Sequence, residues 1–460
     1  MSSSSAVAFP SAVAERAFPL AAAQTLMLND SLRRPNAGVC LEQIICRADG
    51  ELDPLAFARA WQLTVDGNDI LRTSYRWENL AAPLQVVERA VTLPFQQYDW
   101  REQSESEQGD CLELLIRADR AAGFDFSKAP LARLTLIRVA EKSYLFLWSL
   151  HLSILDGWSQ ALILKQVFTA YKELVRGAVP QIGSGRPYRD YVEWLLAQDL
   201  SEAEEFWTRT LRGFTEPTSF GQLTPGSDSE GVSYEDLELW LTSEETAWLQ
   251  SFARQNRLTM FTLVQGAWAL LLSRYSGSDD VVYGITVSVR PPELAEIEST
   301  AGLFINTIPV RTRVSGSAEI LSWLKDLQSE MVEAREYQHT PLVQIQDWSD
   351  VASGLALFKS ILVFQNFPIE DDLYDLGEAV CVQRVRWSFS RSKYPLTVVA
   401  LPGSELGFRF VYDGRQFEQA AIQHVLTDLR TMLAAFVVGP ATKLAELQLP
   451  TQKQTAVEWN

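Results

Sequence analysis

The sequence predicts a mixed α/β fold built from two halves of similar make-up. Three observations point there. Apolar residues at helical spacing alternate along the chain with short apolar or alternating runs. The 460 residues correspond to about three domains of roughly 150 residues, or two large ones. A hydrophobic share of 47% against a charged share of 21% supplies a sizeable core. The 14 Trp, 13 Tyr and 22 Phe exclude an intrinsically disordered chain, which cannot carry that much aromatic surface.

The elements follow in order. Asp53 to Asp66 sets Leu55, Ala58, Trp61 and Val65 on one side of a helix, with Asp53 as N-cap and Pro54 at the first helical position. Ala132 to Val139 alternates, and Ser143 to Ser149 is nearly continuous in apolar residues. Joined by Ala140-Glu141-Lys142, the two runs read as a β-hairpin with at least one buried strand. A helix from about Ser159 to Val175 follows, burying Leu164, Val167, Phe168, Tyr171 and Leu174. The Gly-, Pro- and Ser-rich stretch Arg176 to Arg186 marks a boundary, so residues 1–180 are assigned to an N-terminal lobe and 181–450 to a C-terminal lobe.

Helices are expected over Tyr188 to Gln198 and Ser201 to Gly213, the second opened by a Ser201/Glu204 capping box. Thr215 to Gly231 reads as a connector. The second half then repeats the style of the first. Helices are predicted at Ser243 to Gln255 and Thr259 to Tyr275, and strands near Val281 to Val287 and Thr307 to Val314. A helix follows near Ala318 to Tyr337, then strands near Ile361 to Phe364, Leu396 to Leu401 and Leu406 to Tyr412, and a last helix from about Glu418 to Phe436. A cleft between two such lobes is where chemistry on a large substrate is expected.

The charge excludes some classes. Lys+Arg 40 against Asp+Glu 58 leaves a net −18, the wrong sign for nucleic acid or an anionic membrane surface. No window reaches the roughly 18 uninterrupted apolar residues of a membrane span; the best stretch, Met260 to Leu272, is broken by Gln265. The N-terminus lacks a basic region and carries Glu15 and Arg16 within its apolar part, so a cytoplasmic protein is expected. Cys40, Cys46, Cys111 and Cys381 form no CxxC pair and read as free buried thiols rather than disulfides or metal ligands.

Chemistry is sought first among the three histidines. His424 lies in the last amphipathic helix as a surface or packing residue, and His339 precedes Thr340-Pro341 at a helix end, where a cation gains from the dipole. His151 differs, because it closes the apolar strand and is followed by Asp156-Gly157 before a helix opens. That placement suits an active site, although a lone histidine is more often a satisfied core group.

The run Trp148 to Ser159 (WSLHLSILDGWS) resembles the HHxxxDG signature of condensation domains from nonribosomal peptide synthetases. Ile70 to Tyr75 (ILRTSY) looks like that family's LRT(S/R)F segment, and Tyr188 to Trp194 (YRDYVEW) like its YxxYxxW segment. Asp280 to Gly284, Val287 to Pro291 and Gly302 to Arg311 are similar to its DVVxGxxVSGRP…GxFINTxPxR motif, and Val363 to Asn366 and Tyr394 to Leu396 match later pieces. The resemblance implies two chloramphenicol-acetyltransferase-like lobes in a V-shaped pseudo-dimer with a central tunnel. It also implies amide formation between thioester-bound substrates delivered by phosphopantetheine-bearing carrier proteins, with no cofactor and no metal.

The departure from the pattern governs the expected mechanism. His151 matches the first motif histidine, but Leu152 occupies the place of the second, the one credited with acting on the attacking amine. Leucine has no lone pair with which to accept or orient a proton. Neighbouring side chains on a strand point to opposite faces, so His151 is not expected to take over that role. The resemblance makes Asp156 structural, with Arg290 as its candidate partner. Gly157 is read either as an N–H donor to the thioester carbonyl or as a plain tight turn. Trp158 and Ser159 are placed along the tunnel, and Asn306 is either a tunnel and loop residue or a packing one.

Asn68-Asp69 and Val289 are smaller departures that bear on local loop shape. A single replacement in an otherwise complete motif reads as an inactivating substitution or a recent change. Met1 reads as a native N-terminus, with no carrier expected ahead of it, and residues 451–460, closing on Thr455-Ala456-Val457-Glu458-Trp459-Asn460, resemble the linker to an adenylation domain. Such a position resembles the starter subtype, whose donor is a fatty acyl group from coenzyme A or an acyl carrier. The alternatives are an ordinary peptide- or ester-forming domain, and a non-catalytic domain that recruits carriers or tailoring enzymes.

Overall fold

A central, fully covered strand organises the first half of the protein. The structure is a computed structural model describing residues 14–35, 37–183, 185–220, 234–365, 380–388 and 393–447. It divides into two units: unit 1 holds Met1–Ala197, Arg290–Phe304 and Pro368–Ser390, and unit 2 holds Gln198–Val289, Ile305–Phe367 and Arg391–Asn460.

In unit 1 the chain runs β1 (Ala14–Pro19), α1 (Ala22–Arg33), β2 (Leu41–Gly50), α2 (Pro54–Gly67), β3 (Thr73–Arg76), β4 (Leu84–Glu88), β5 (Phe95–Asp99), α3 (Glu105–Ala122), β6 (Ala132–Ala140), β7 (Ser143–His151), α4 (Gly157–Val175) and α5 (Tyr188–Leu196). Strands β6 and β7 form the expected antiparallel hairpin, turned by Glu141 and Lys142. They lie in a five-stranded sheet in which β2 borders β7, β5 runs parallel to β6, and a later strand, Val380–Ser388, adds beside β2. Strands β1, β4 and β3 make a separate three-stranded sheet.

Alternation along β7 sends its side chains to two covered faces. On one, Phe146 meets Phe57 and Phe168, with ring centroids 5.3 and 6.3 Å away, and Trp148 meets Trp61 at 5.0 Å, so α2 and α4 cover it. On the other, Leu147 joins Ile45 and Ile116 of α3 in a buried cluster. A strand covered on both sides has no polar face to keep wet, which is why its sequence reads as a continuous apolar run.

Unit 2 contains α6 (Ser201–Leu211), β8 (Tyr234–Trp240), α7 (Ser243–Asn256), α8 (Met260–Ser276), β9 (Asp280–Ser288), β10 (Ile305–Arg313), α9 (Ile320–Glu336), α10 (Leu342–Asp347) and β11 (Ser360–Phe364). The chain then lends β12 (Val380–Ser388) to unit 1 and closes unit 2 with β13 (Leu396–Leu401), β14 (Gly407–Asp413) and α11 (Gln419–Val438). Its six-stranded sheet has the order β10-β9-β11-β13-β14-β8, with β11 parallel to both neighbours and the other pairs antiparallel. Among the described residues only α11 has the length and composition to cross a membrane, and half of that stretch is buried in the protein.

Four expectations need correction. The division falls after Ala197 rather than at 180, and two later segments return to unit 1. The reason is packing: α5 sets Tyr191 against Phe304 at 4.6 Å, and Ile182 of the Gly/Pro stretch lies on Gly67, which makes that stretch an internal loop. Helix α2 buries Phe57, Ala60, Trp61, Thr64 and Val65 while Leu55 is 79% exposed, so its core face is rotated from the predicted one, although Asp53 caps it as expected by accepting from the N–H groups of Leu55 and Ala56. No capping box opens α6: Leu200 is the N-cap, and Ser201 donates its hydroxyl to Asp199 instead. Of the four free cysteines, Cys40 and Cys46 are buried but Cys111 is only partly so and Cys381 is exposed. Most of the predicted connector, and residues 451–460, lie outside the described residues.

Candidate functional site

The motif begins where β7 ends. His151 is 2% exposed, packed edge-on against Phe126 at 4.8 Å on the α3 side of the sheet. Its Nδ1 accepts from the Ser153 N–H at 3.3 Å and faces the Ser153 hydroxyl at 2.7 Å. That leaves Nε2 as the N–H, which donates to Ser31 Oγ at 3.0 Å, and Ser31 in turn donates to the Val39 carbonyl at 3.3 Å. Ser153 is fixed from its other side, its hydroxyl accepting from Tyr75 OH at 2.8 Å and its carbonyl accepting from Gln24 Nε2 at 3.0 Å. Burial pushes the His151 imidazole down to about 3. Both ring nitrogens are engaged and the ring stays neutral, a structural group rather than a proton carrier.

Leu152 continues the strand for one hydrogen bond, its N–H donating to the Cys40 carbonyl at 2.7 Å. As a residue it keeps partial exposure, while His151, Ser153, Ile154 and Leu155 are all buried.

Asp156 then caps α4. It is 2% exposed, and its Oδ1 accepts from the Ser159 N–H at 2.8 Å while its Oδ2 accepts from the Phe304 N–H at 3.0 Å. Arg290 does lie beside it, Nη2 standing 3.4 Å from Oδ1. The same guanidinium donates to Ser159 Oγ at 2.9 Å and to the carbonyls of Ile297 and Thr300, with its plane 3.9 Å from the Phe304 ring. Burial pulls its pKa down against the Asp156 charge, the cost expected of a guanidinium taken out of water.

Ser159 is fully buried, so it does not line an open passage. Its hydroxyl donates to the Gly302 carbonyl at 2.8 Å and accepts from the Gly302 N–H at 3.0 Å. Trp158 is partly exposed and donates its indole N–H to the Glu298 carbonyl at 2.8 Å. Gly157 is the first residue of α4 and partly exposed, and its N–H has no acceptor among the described residues, as the opening of a helix leaves it. Asn306 acts within unit 2 as a loop clamp, donating both amide hydrogens, to the Gln338 and Thr340 carbonyls at 2.9 and 2.7 Å.

The remaining histidines stand apart. His424 is exposed on α11. His339 is partly buried, and that burial lowers its pKa, which works against the cation its place at a helix end would favour. Among the described residues no group of three His, Cys, Asp or Glu side chains is placed to hold a metal ion.

A family model described as condensation domain matches residues 14–457. The chain belongs to the condensation domain family. One of the linear gramicidin synthase proteins of Brevibacillus parabrevis is 40% identical over 97% of the chain, and surfactin synthase subunit 2 of Bacillus subtilis (strain 168) is 31% identical over 95%. The chain spans only 6% and 12% of those two proteins. Among solved structures, the first condensation domain of the calcium-dependent antibiotic synthetase has a TM-score of 0.79 at 18% identity, covering 95% of this chain and 99% of that one. A starter condensation domain of rhizomide synthetase scores 0.79 at 18%, covering 94% and 97%. The X-domain of teicoplanin biosynthesis, solved with OxyB, scores 0.77 at 20%, covering 96% and 97%. These likenesses establish the mixed α/β condensation-domain fold.

Sequence reasoning missed Ser31 and Gln24 around His151, and although Tyr75, Ser153, Gly302 and Phe304 lie in the quoted motif segments it gave them no part in holding His151 or Asp156. All but Ser153 are distant in sequence from the motif they hold. Ser153 was within reach, since Ser two residues past a histidine on a strand end is placed to bond its ring.

Proposed function

We propose that this condensation domain belongs to an amide-forming site of a nonribosomal peptide synthetase and that Leu152 leaves it strongly impaired. The donor is an acyl thioester, a fatty acyl group on coenzyme A or on a carrier. The acceptor is the amine of an aminoacyl group held on a phosphopantetheine carrier protein, and an adenylation domain follows in the same synthetase. The observation that carries this reading is a hydrogen-bonded motif scaffold in which one motif position is altered. Asp156, Arg290, Ser159, Gly302 and Phe304 are joined by hydrogen bonds, and Leu152, four positions before Asp156 in the chain, is an aliphatic residue that keeps partial exposure. Loss of a positioned proton acceptor lowers such a rate by roughly 10²–10⁴. Turnover that persists is owed to the proximity of two tethered substrates and to the Gly157 N–H, free to polarise the thioester carbonyl.

The test is Leu152→His, assayed by mass spectrometry with acyl-coenzyme A and an aminoacyl carrier. Amide product rising by the same roughly 10²–10⁴ supports the proposal. A restored protein that stays silent with fatty acyl, peptidyl and hydroxyl-bearing substrates rejects it. Leu152 itself favours a second reading, in which the domain recruits another protein. The structural likeness to an X-domain solved with OxyB supports that reading, which predicts no gain on restoring the histidine.

A further inference from the structure

In unit 2 the sheet ends at β10, and among the described residues no strand pairs with its outer edge. Helices α6 and α9 flank that edge, and the three elements enclose a groove of about 580 Å³. That size lies within the range of small-molecule sites, roughly 300–1,000 Å³. Its floor is apolar, laid by the buried Val310, Leu327 and Met331. The Trp323 indole donates to the Arg313 carbonyl at 3.0 Å, which ties α9 to the end of the strand.

The two rims carry opposite charge. Helix α9 presents Asp326, Glu330 and Glu333, spaced i, i+4 and i+7 and so on one face. The facing rim holds Arg209, Arg212, Arg311 and Arg313. Part of this charge is already spent: Arg209 pairs with Glu333 at 2.7 Å, and Arg311 grips Asp280 through two hydrogen bonds of 2.9 and 2.6 Å. Arg212 and Arg313 on one side, and Asp326 and Glu330 on the other, make no ion pair among the described residues. Glu330 titrates above the usual carboxylate range, first through lost hydration and then through the like charge of Asp326, with Arg313 near enough to offset part of this.

A simple anion entering the groove meets the carboxylate stripe, and a simple cation meets the arginines. A ligand with both charges at the ends of an apolar body satisfies both rims and covers the floor. We propose that this groove binds short apolar peptides with free termini, the ammonium group at Asp326 and Glu330 and the carboxylate at Arg212 and Arg313. Nothing in this binding uses the motif around His151 and Leu152, so it stands or falls separately from the acyl-transfer reading.

Isothermal titration of the whole chain with the tripeptide Leu-Phe-Leu tests the site, with free leucine, whose two charges share one carbon, as the control. Saturable one-to-one binding of the tripeptide and not of leucine is expected, weakened at least about tenfold when the tripeptide is N-acetylated and C-amidated, the size of one lost charged hydrogen bond. Glu330→Gln removes the preference for a free amine, and Arg313→Gln the preference for a free carboxylate. Both residues are exposed, and circular dichroism checks that each variant keeps its fold. Absence of saturable binding in the millimolar range overturns the proposal. So does equal binding of free and blocked tripeptide, or variants that leave both preferences intact.

Discussion

Ser159 and Gly302 hold each other through both backbone groups of the glycine: the serine hydroxyl donates to the carbonyl at 2.8 Å and accepts from the N–H at 3.0 Å. Arg290 adds a third bond to the same oxygen, at 2.9 Å. One buried hydroxyl thus joins the first turn of α4 to the returning segment Arg290–Phe304. Ser159→Ala leaves a buried N–H and one guanidinium hydrogen short of a partner, while the Gly302 carbonyl keeps the Asp156 N–H at 3.1 Å, and a loss of about 3 kcal/mol is expected in urea unfolding. Unchanged stability would show that water replaces the hydroxyl and that the clasp does not bear on the fold.

Gly302 is confined on its other side by Tyr188. A Cβ there would meet Cδ2 of the ring at 2.3 Å, and the ring is held because its hydroxyl donates to the Leu303 carbonyl at 2.8 Å. Gly302→Ala is therefore expected to destabilise unit 1 by about 1–3 kcal/mol. The cost should shrink in a Tyr188→Leu background, where the two substitutions are coupled. Equal cost in both backgrounds, measured by the same denaturant titrations, would place the clash elsewhere.

Thr312 predicts the opposite sign. Its hydroxyl, on β10, is buried with no hydrogen-bond partner among the described residues, as is the Tyr283 hydroxyl. Thr312→Val keeps the shape and removes a polar group that gains nothing from burial. Stability is expected to stay level or rise by about 1 kcal/mol, read as an equal or higher melting temperature. A clear loss would reveal a partner for that oxygen, with the Tyr283 hydroxyl the nearest to hand.

How much of this was legible in sequence depended on how local each cause is. The β6–β7 hairpin and the helices α4, α8 and α11 announce themselves through their own periodicity. The boundary after Ala197 does not, because it is set by Tyr188 and Tyr191 packing on Phe304, more than a hundred positions away. Strand β12 joins β2 across more than three hundred residues, a pairing that no local pattern encodes. The rotation of α2 that exposes Leu55 follows from Phe57 finding Phe146. At the site, the contiguous run His151 to Ser159 was readable, and Arg290 as partner of Asp156 came from the resemblance to condensation domains, supported by the demand of a buried carboxylate for a cation. Which hydroxyl clasps which loop, as with Ser159, is decided only by the fold.

The pH response of stability should single out His151. Its imidazole is buried, has both nitrogens occupied and titrates at about 3, against about 6.5 in an unfolded chain. Between those values the unfolded state binds a proton that the native state does not, so unfolding free energy rises with pH across the window. The contribution is fully present above about pH 6.5 and is lost as the pH falls toward about 3. Its slope approaches one proton, about 1.4 kcal/mol per pH unit. His151→Gln lacks this titration: it should be less stable than the parent at neutral pH, with the gap closing as the solution is acidified. Carboxylates titrate in both proteins and cancel in the difference. Denaturant unfolding of the pair at stepped pH between neutral and about pH 4 measures it. Parallel profiles would mean that His151 is protonated in the native state, and the neutral relay from Tyr75 through Ser153 to Ser31 would have to be abandoned.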